Sequence, residues 1–297
     1  MKLLLSISFL IPSLIFFSQA NLEKIKELEL EAVTLLHEAR KFNTLPEQHE
    51  KNQAFEEKIR ELMEYNETFT HDFDTLAKLI STIKSPDGAF RIFNWNMEYG
   101  DFKEHKYYCL MMKKDPKSGE FVIIELFDHS ADFFEDVEFK ALTDKKWYGC
   151  LYYSIIPIQK GFKTQYTLLG WDGNNMLSNK KIIETMKFNK KDELKFGEAM
   201  FKSEEDKTKR RVIFEYTEEA TMSVKYQKTK KIEMIVYDHL SSIVPGAEDI
   251  SHGPWSGPDG SYDGYVLENG KWIRLKDVDA RTDKKFKTKY NAPKENR

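Results

Sequence analysis

The chain predicts an α+β fold, a helical hairpin followed by a mainly antiparallel β domain, and three observations carry that prediction. Apolar residues recur every three or four positions as far as Ile83, the period drops to two after Gly88, and the links between the later strand-like runs are short and rich in Gly, Asp and Asn. The β domain is expected to be a sandwich or an open curved sheet, with a propeller-like arrangement as the alternative.

The first element is a leader. Residues 1–20, MKLLLSISFLIPSLIFFSQA, carry one positive charge at Lys2, an apolar run from Leu3 to Phe17, and Ser18 and Ala20 placed three and one residues before a cut ahead of Asn21. The run is 15 residues long, contains Pro12, and falls short of the roughly 20 needed to span a bilayer. These features read as a secretion signal, with an uncleaved N-terminal anchor as the alternative. They place the protein in the periplasm or outside the cell, with no transmembrane segment after signal removal.

From 21 to 84 the pattern is helical. Ile25, Leu28, Ala32, Leu35, Ala39 and Phe42 form one stripe, and after the break FNTLP a second runs through Phe55, Ile59, Leu62, Phe69, Phe73, Leu76, Ile80 and Ile83, with Asn66 in the seam. The run NETFTHD is poor in strong helix formers, so an interruption is expected there, with Thr70 or Asp72 starting a short third helix.

The β domain spans 85–281. Its strand-like runs are AFRIFNWNM, HKYYCLMMK, EFVIIELF, KWYGCLYYSIIPI, QYTLLGW, RRVIFEYT, ATMSVKYQ, KIEMIVYDH, DGYVLENG and KWIRLKDV, dominated by Tyr, Phe, Ile and Val. A helical turn is expected at SNKKIIETM, with Ser178 as its N-cap. Three runs end alike, as apolar, aromatic, Asp, at Asp128, Asp172 and Asp238. Their spacings of 44 and 66 residues are too uneven for regular propeller blades. Residues 282–297 are Lys-rich, nearly free of apolar side chains, and read as a loose basic tail.

Charge narrows the classes of partner. The chain has 46 basic and 49 acidic residues, net −3; loss of Lys2 with the signal leaves 45 basic residues and a net of −4. Near neutrality with interspersed signs argues against nucleic acid, and the basic pieces KKDPK and KTKRR sit beside acids in turns. Cys109 and Cys150 are the only cysteines. In an oxidising compartment they form a candidate disulfide, and inside strands they serve equally as small buried hydrophobes.

Candidate chemistry is sparse. Asp259, Ser261 and Asp263 take the first, third and fifth positions of a calcium loop and Gly264 the sixth, but the twelfth is Gly270 where a bidentate glutamate belongs. A reverse turn before the strand at Tyr265 accounts for the same residues. In YTLLGWDGNNMLSNKK, Asp172, Asn174 and Asn175 supply oxygens, yet Met176 and Leu177 follow, and the stretch reads as the end of a strand. His129 and His239 follow strand-end aspartates, while His252 lies in the Gly/Pro-rich SHGPWSGPDG. There is no His-Glu-x-x-His, no Gly-x-Ser-x-Gly and no phosphate-binding Gly pattern. No cofactor is expected. Trp255, in that same loop, is an aromatic without an evident core position. Trp255, His252, Asp259 and Asp263 are therefore the binding candidates, on a loop from 246 to 264, for a glycan, peptide or protein partner.

The phrases FDTLAKLISTIKSPDGAFRIFNWN, KWYGCLYYSIIP, YTLLGWDGNN, RRVIFEYTEEATMSVKY, YDHL and GPDGSYDGYVLENGKW together resemble a group of uncharacterised exported proteins of Bacteroidota, over about Phe73 to Arg281. The resemblance implies an extracytoplasmic protein and brings no known activity and no catalytic residues. Asp74-Thr75-Leu76 also matches that phylum's short O-glycan acceptor pattern. The expectation is a non-catalytic envelope or secreted binding or scaffold protein, with an extracytoplasmic hydrolase acting on glycan or peptide through acids near Asp259 and Asp263 as the alternative.

Overall fold

The computed structural model describes residues 10–133, 135–161, 163–203, 207–230, 232–247 and 252–279. The basic tail at 282–297, the start of the leader and part of the 246–264 loop lie outside the described residues.

Two helices, α1 (Leu10–Ala39) and α2 (Leu45–Met63), form the hairpin. Among the described residues no helix is long and apolar enough to cross a membrane. The break between them follows from Thr44, whose Oγ1 accepts from Glu47 N at 3.4 Å, and from Pro46 in the first turn. Ile25, Leu28, Ala32 and Ala39 are fully buried as the stripe requires, but Leu36 is buried where Leu35 was expected. At 3.6 residues per turn, position 36 stays closer to the line through 25 and 32.

Beyond Met63 the second stripe continues without an α-helix. Phe69, Phe73, Leu76 and Ile80 are buried, yet the chain makes only two short 3₁₀ turns, Asn66–Phe69 and Leu76–Lys78, in place of the expected third helix. Side-chain burial set that spacing, while Asn, Thr and Asp withheld helix propensity.

The strands are β1 (Phe90–Tyr99), β2 (Glu104–Lys114), β3 (Phe121–Phe127), β4 (Leu142–Thr143), β5 (Leu151–Lys160), β6 (Lys163–Asn175), β7 (Ser178–Phe188), β8 (Leu194–Phe196), β9 (Phe201–Lys202), β10 (Arg211–Thr217), β11 (Val224–Lys228), β12 (Glu233–Ser242), β13 (Ser256–Glu268) and β14 (Lys271–Leu275). They form a sheet β1-β2-β3, a sheet β4-β8-β7-β6-β5 with β10 also on β7, and a sheet β11-β12-β13-β14-β9. In the six- and five-stranded sheets pairing is antiparallel except for the short β14–β9 contact.

The chain divides into two compact units, and the division is not at the helix-to-strand switch. Residues 1–101 and 106–126 form the first unit; 102–105 and 127–297 form the second. The helices take β1 and β2 as their packing surface: Phe93, Trp95, Met97, Leu110 and Met112 join the helical stripe in one core. Trp95 Nε1 donates to Asn52 Oδ1 at 2.8 Å and its ring meets Phe55 edge-on at 5.0 Å.

In the second unit the six- and five-stranded sheets share a core. Ile156, Leu169, Ile183, Val212 and Phe214 from one meet Ile235, Tyr237, Leu240, Tyr265 and Trp272 from the other. Trp272 Nε1 donates to Thr167 Oγ1 at 2.9 Å across them. This is sheet-on-sheet packing, the expected sandwich and not propeller blades.

The expected helical turn at SNKKIIETM is strand β7. Lys180 to Glu184 pair with Glu215 to Arg211, a pleat that buries Ile183 in the inter-sheet core, with Ile182 and Glu184 buried on the opposite face. Nor does β6 stop at Trp171. It runs on to Asn175 through a bulge between Asp172 and Asn175, with Asn174 at φ 46°. Gly173 is required there, since a Cβ would lie 2.2 Å from His105 Nε2.

The candidate disulfide does not form: Cys109 and Cys150 are both buried thiols, on β2 of the first unit and just before β5 of the second. Cys150 Sγ lies 2.7 Å from where a Cβ on Gly170 would sit, so it fills the space above a neighbouring strand's glycine. Burial pushes the Cys109 thiol far above the ordinary cysteine range.

Candidate functional site

The outer face of the five-stranded sheet, turned away from the shared core, carries a polar cleft. Val224 pairs with Tyr237 and Ile235 with Tyr265, all on the core side, so the residues between them face outward. Lys225 opposite Val236, Gln227 opposite Met234 and Asp238 opposite Tyr262 therefore share one outer surface. Gly264, opposite Val236, keeps the floor low; a Cβ there would come within 2.9 Å of Met234 Sδ. The resulting cleft holds about 320 Å³ and is lined by Ser223, Lys225, Gln227, Val236, Asp238 and Tyr262, with Tyr237 beneath.

Two contacts stiffen it. Asp238 Oδ2 accepts from Ser223 N at 2.7 Å, which fixes the β11 end of the cleft. Tyr262 O accepts from Val278 N at 2.8 Å. Among the described residues the Lys225 ammonium, the Gln227 amide and the Tyr262 hydroxyl make no hydrogen bond; Lys225 is exposed and Gln227 and Tyr262 are half-buried.

A bulge between Asp238 and Leu240 extends this surface. Tyr237 and Leu240 both reach the core, which leaves Asp238 and His239 on the outer side. His239 Nδ1 lies 2.9 Å from Asp259 Oδ2, and Asp259 Oδ1 accepts from Ser261 Oγ at 2.7 Å and Ser261 N at 2.9 Å. Burial acts to raise the Asp259 carboxyl, but the Ser261 hydrogen bonds and His239 outweigh it and hold its pKa below the ordinary aspartate value.

The calcium-loop reading of Asp259, Ser261 and Asp263 is overturned by this arrangement. The stretch is no loop but the first half of β13, which also replaces the expected reverse turn, with Gly260 at φ 89° in the bulged region. Asp263 is buried: its Oδ2 accepts from Arg274 Nη2 at 2.9 Å and its Oδ1 from Asp277 N at 3.2 Å. Asp259 and Ser261 turn to each other and to exposed His239 instead. Among the described residues no three His, Cys, Asp or Glu converge as a metal site.

Trp255 is 56% exposed at the start of β13, with Ile243 N donating to its carbonyl at 2.9 Å. Trp95, Trp147 and Trp272 are buried and Trp171 is half-buried, so the sequence had singled out the one exposed indole. His252 precedes Gly253, whose N donates to Glu215 O at 2.9 Å; burial, then the Lys209 charge, pulls the imidazole below the ordinary histidine range. His129 Nδ1 pairs with Asp132 Oδ2 at 2.6 Å on the surface.

Asp172, Asn174 and Asn175 serve the hairpin, as the strand-end reading required. Asp172 Oδ1 accepts from Asn174 N at 2.7 Å, Asn174 Nδ2 donates to Ser178 Oγ at 2.7 Å, and Asn175 Oδ1 accepts from Leu177 N at 2.9 Å. Asp128 repeats the device, accepting from Ser130 N at 2.8 Å. At Asp128 and Asp172 the aromatic-Asp ending is thus a way of turning the chain, while Asp238 lies within β12 and faces the cleft. Thr75, in the O-glycan acceptor pattern, donates its hydroxyl to Glu29 Oε1 at 2.5 Å.

Sequence reasoning missed Lys225, Gln227, Asp238 and Tyr262. Alternation in VKYQ did place Lys225 and Gln227 on one face, but nothing local pairs that face with Asp238 or Tyr262. No known protein family, characterised protein or solved structure matches the chain.

Proposed function

We propose that this is an exported, non-catalytic binding protein of the envelope or the secreted fraction, of the Bacteroidota group it resembles, which presents ligand-contacting side chains from a rigid sandwich. The observation that carries the reading is the cleft: hydrogen-bonding head groups of three adjacent strands stand on one outer sheet face, with a backbone ladder holding their spacing. A leader with a cut ahead of Asn21 supports export. The test is fractionation of expressing cells with N-terminal sequencing of the product. Recovery from the periplasm or medium with Asn21 at its start is expected, and a full-length chain retained in the cytoplasm overturns the reading.

One observation favours a second reading, an extracytoplasmic hydrolase acting on glycan or peptide. His239, held at Nδ1 by Asp259, stands next to Asp238 of the cleft, and an oriented histidine beside a carboxylate is the equipment of general acid–base catalysis. The dyad does not extend to a nucleophile, since Ser261 Oγ gives its proton to Asp259 and not to His239. Turnover of an oligosaccharide or peptide that is lost in H239A establishes the hydrolase.

A further inference from the structure

We propose that the outer cleft of β11, β12 and β13 is a glycan-binding site that takes a neutral, polyhydroxylated chain lying across the strands against Tyr262. The inference rests on the binding-protein reading and adds the class of ligand and the residues that recognise it.

The chemistry of the lining selects the ligand. Lys225 supplies a donor, Asp238 a carboxylate acceptor, and Gln227 and Tyr262 each supply both, so the cleft offers donors and acceptors in mixed order. A ligand dominated by one sign of charge meets a wrong partner, because Lys225 and Asp238 stand in the same cleft and oppose each other. A hydroxyl both donates and accepts, so a ring bearing several of them satisfies every group at once, and none is left buried without a partner.

The shape points the same way. At about 320 Å³ the cleft sits at the small end of ligand sites, and it lies open on a sheet face, which suits a few residues of a longer chain. Val236 and Gly264 form a low apolar floor, and Tyr262 offers an aromatic ring at the wall. The C–H face of a sugar ring is apolar while its rim is polar, so it fits an aromatic ring beside an apolar floor with polar groups at the margin. The Ser223–Asp238 contact and the ladder hold these groups in place without ligand, which lowers the ordering cost of binding.

An extended peptide is the competing ligand, and it would add to the sheet edge. That edge is β11, whose Lys225 and Lys228 are the charged side chains with which exposed edges discourage strand addition.

The experiment is calorimetric titration of the full chain with neutral oligosaccharides of two and six units, covering β-1,4- and α-1,4-linked glucans, xylans, mannans and chitin fragments, and in parallel with an extended-peptide library. Binding of at least one hexasaccharide is expected, tighter than that of its disaccharide. It should weaken roughly tenfold or more in Y262A and in the double variant K225A/Q227A, with unchanged circular dichroism. The conservative Y262F should keep most of the affinity if the ring supplies the contact. Saccharide binding that survives all these changes, or peptide binding in its place, overturns the cleft assignment while leaving a binding protein. Absence of binding to every saccharide and peptide overturns both readings.

Discussion

The two compact units each bury an arginine, and they solve the problem differently. In the first, Arg91 has no carboxylate in contact among the described residues. Its Nη1 donates to the carbonyls of Thr68 at 2.8 Å, Phe69 at 3.3 Å and His71 at 2.6 Å, its Nε donates to Thr82 O at 3.0 Å, and its guanidinium lies 4.7 Å from the Phe73 ring centre. Burial pushes its pKa down to about 10, while the charges of Asp72 and Glu29 pull it up. In the second, Arg211 has a partner as buried as itself: Nε donates to Glu184 Oε1 at 2.7 Å, and Nη2 stands 2.6 Å from the same oxygen as an ion-pair contact. Arg211 Nη1 also donates to the carbonyls of Val137 and Lys140.

The difference follows from what each backbone leaves over. Where the first unit abandons the helix at Met63, short turns leave carbonyls without a ladder partner, and a guanidinium can serve several at once. Arg91 makes the non-helical stretch tenable. Arg211 rises from β10 beside β7, where strand carbonyls already pair with strand amides, so most of its charge must be met by a side chain. Glu184 meets it and is itself held by Tyr152, whose hydroxyl accepts from Trp147 Nε1 at 2.8 Å. Burial raises the Glu184 carboxyl above its ordinary value in spite of Arg211, a sign that this pair is costly to bury.

The comparison breaks most visibly at the ion pair. E184Q or R211M strands a buried charge or its partner and should cost about 3–5 kcal/mol, whereas R211M/E184M together should recover much of it. Urea unfolding of the three variants decides, and single losses under about 1 kcal/mol would mean that water reaches the pair. Arg91 should matter somewhat less. R91M leaves the Thr68, Phe69, His71 and Thr82 carbonyls short of a donor, at about 2–3 kcal/mol, and R91K should restore under half because one ammonium cannot span them. Hydrogen exchange should show amides of the 66–80 stretch opening first in R91M.

A pH titration sharpens the contrast at smaller scale. Burial acts to raise Glu29, but hydrogen bonds from Thr75 Oγ1, Leu76 N and Thr75 N outweigh it, so its folded pKa lies below the ordinary 4.5. A lowered carboxylate pKa stabilises fully above the unfolded value and loses that stabilisation as pH falls through the folded one. Acid should therefore loosen the Thr75–Leu76 turn, and E29Q should flatten that pH dependence. The smallest expected effect concerns the thiols. Reductant should leave Tm unchanged, and both cysteines should react with a thiol reagent only on unfolding. A reductant-sensitive Tm would show a disulfide.

Legibility varied with the range of the interaction. The stripe from Ile25 to Ala39 and the alternation in RVIFEYT were readable because burial on one side of a local element leaves its period in the sequence. SNKKIIETM misled because an apolar pair behind a serine fits a helix cap as well as a strand, and only pairing of β7 with both β6 and β10 distinguishes them. The β13 start misled similarly: Pro-Asp-Gly is turn chemistry, and here it builds a bulge within a strand.

By itself the sequence determined that a helical hairpin precedes a run of strands, the break at Thr44-Leu45-Pro46, and the exposure of Trp255, because period, capping and loop composition act over a few residues. Only the tertiary structure decided that the helices share a core with β1 and β2, that Asp263 faces Arg274 while Asp259 faces His239, and that Lys225, Asp238 and Tyr262 meet in one cleft. Those outcomes depend on register between strands distant in the chain. A shift of one residue there exchanges the two faces of a sheet and leaves every local signal unchanged.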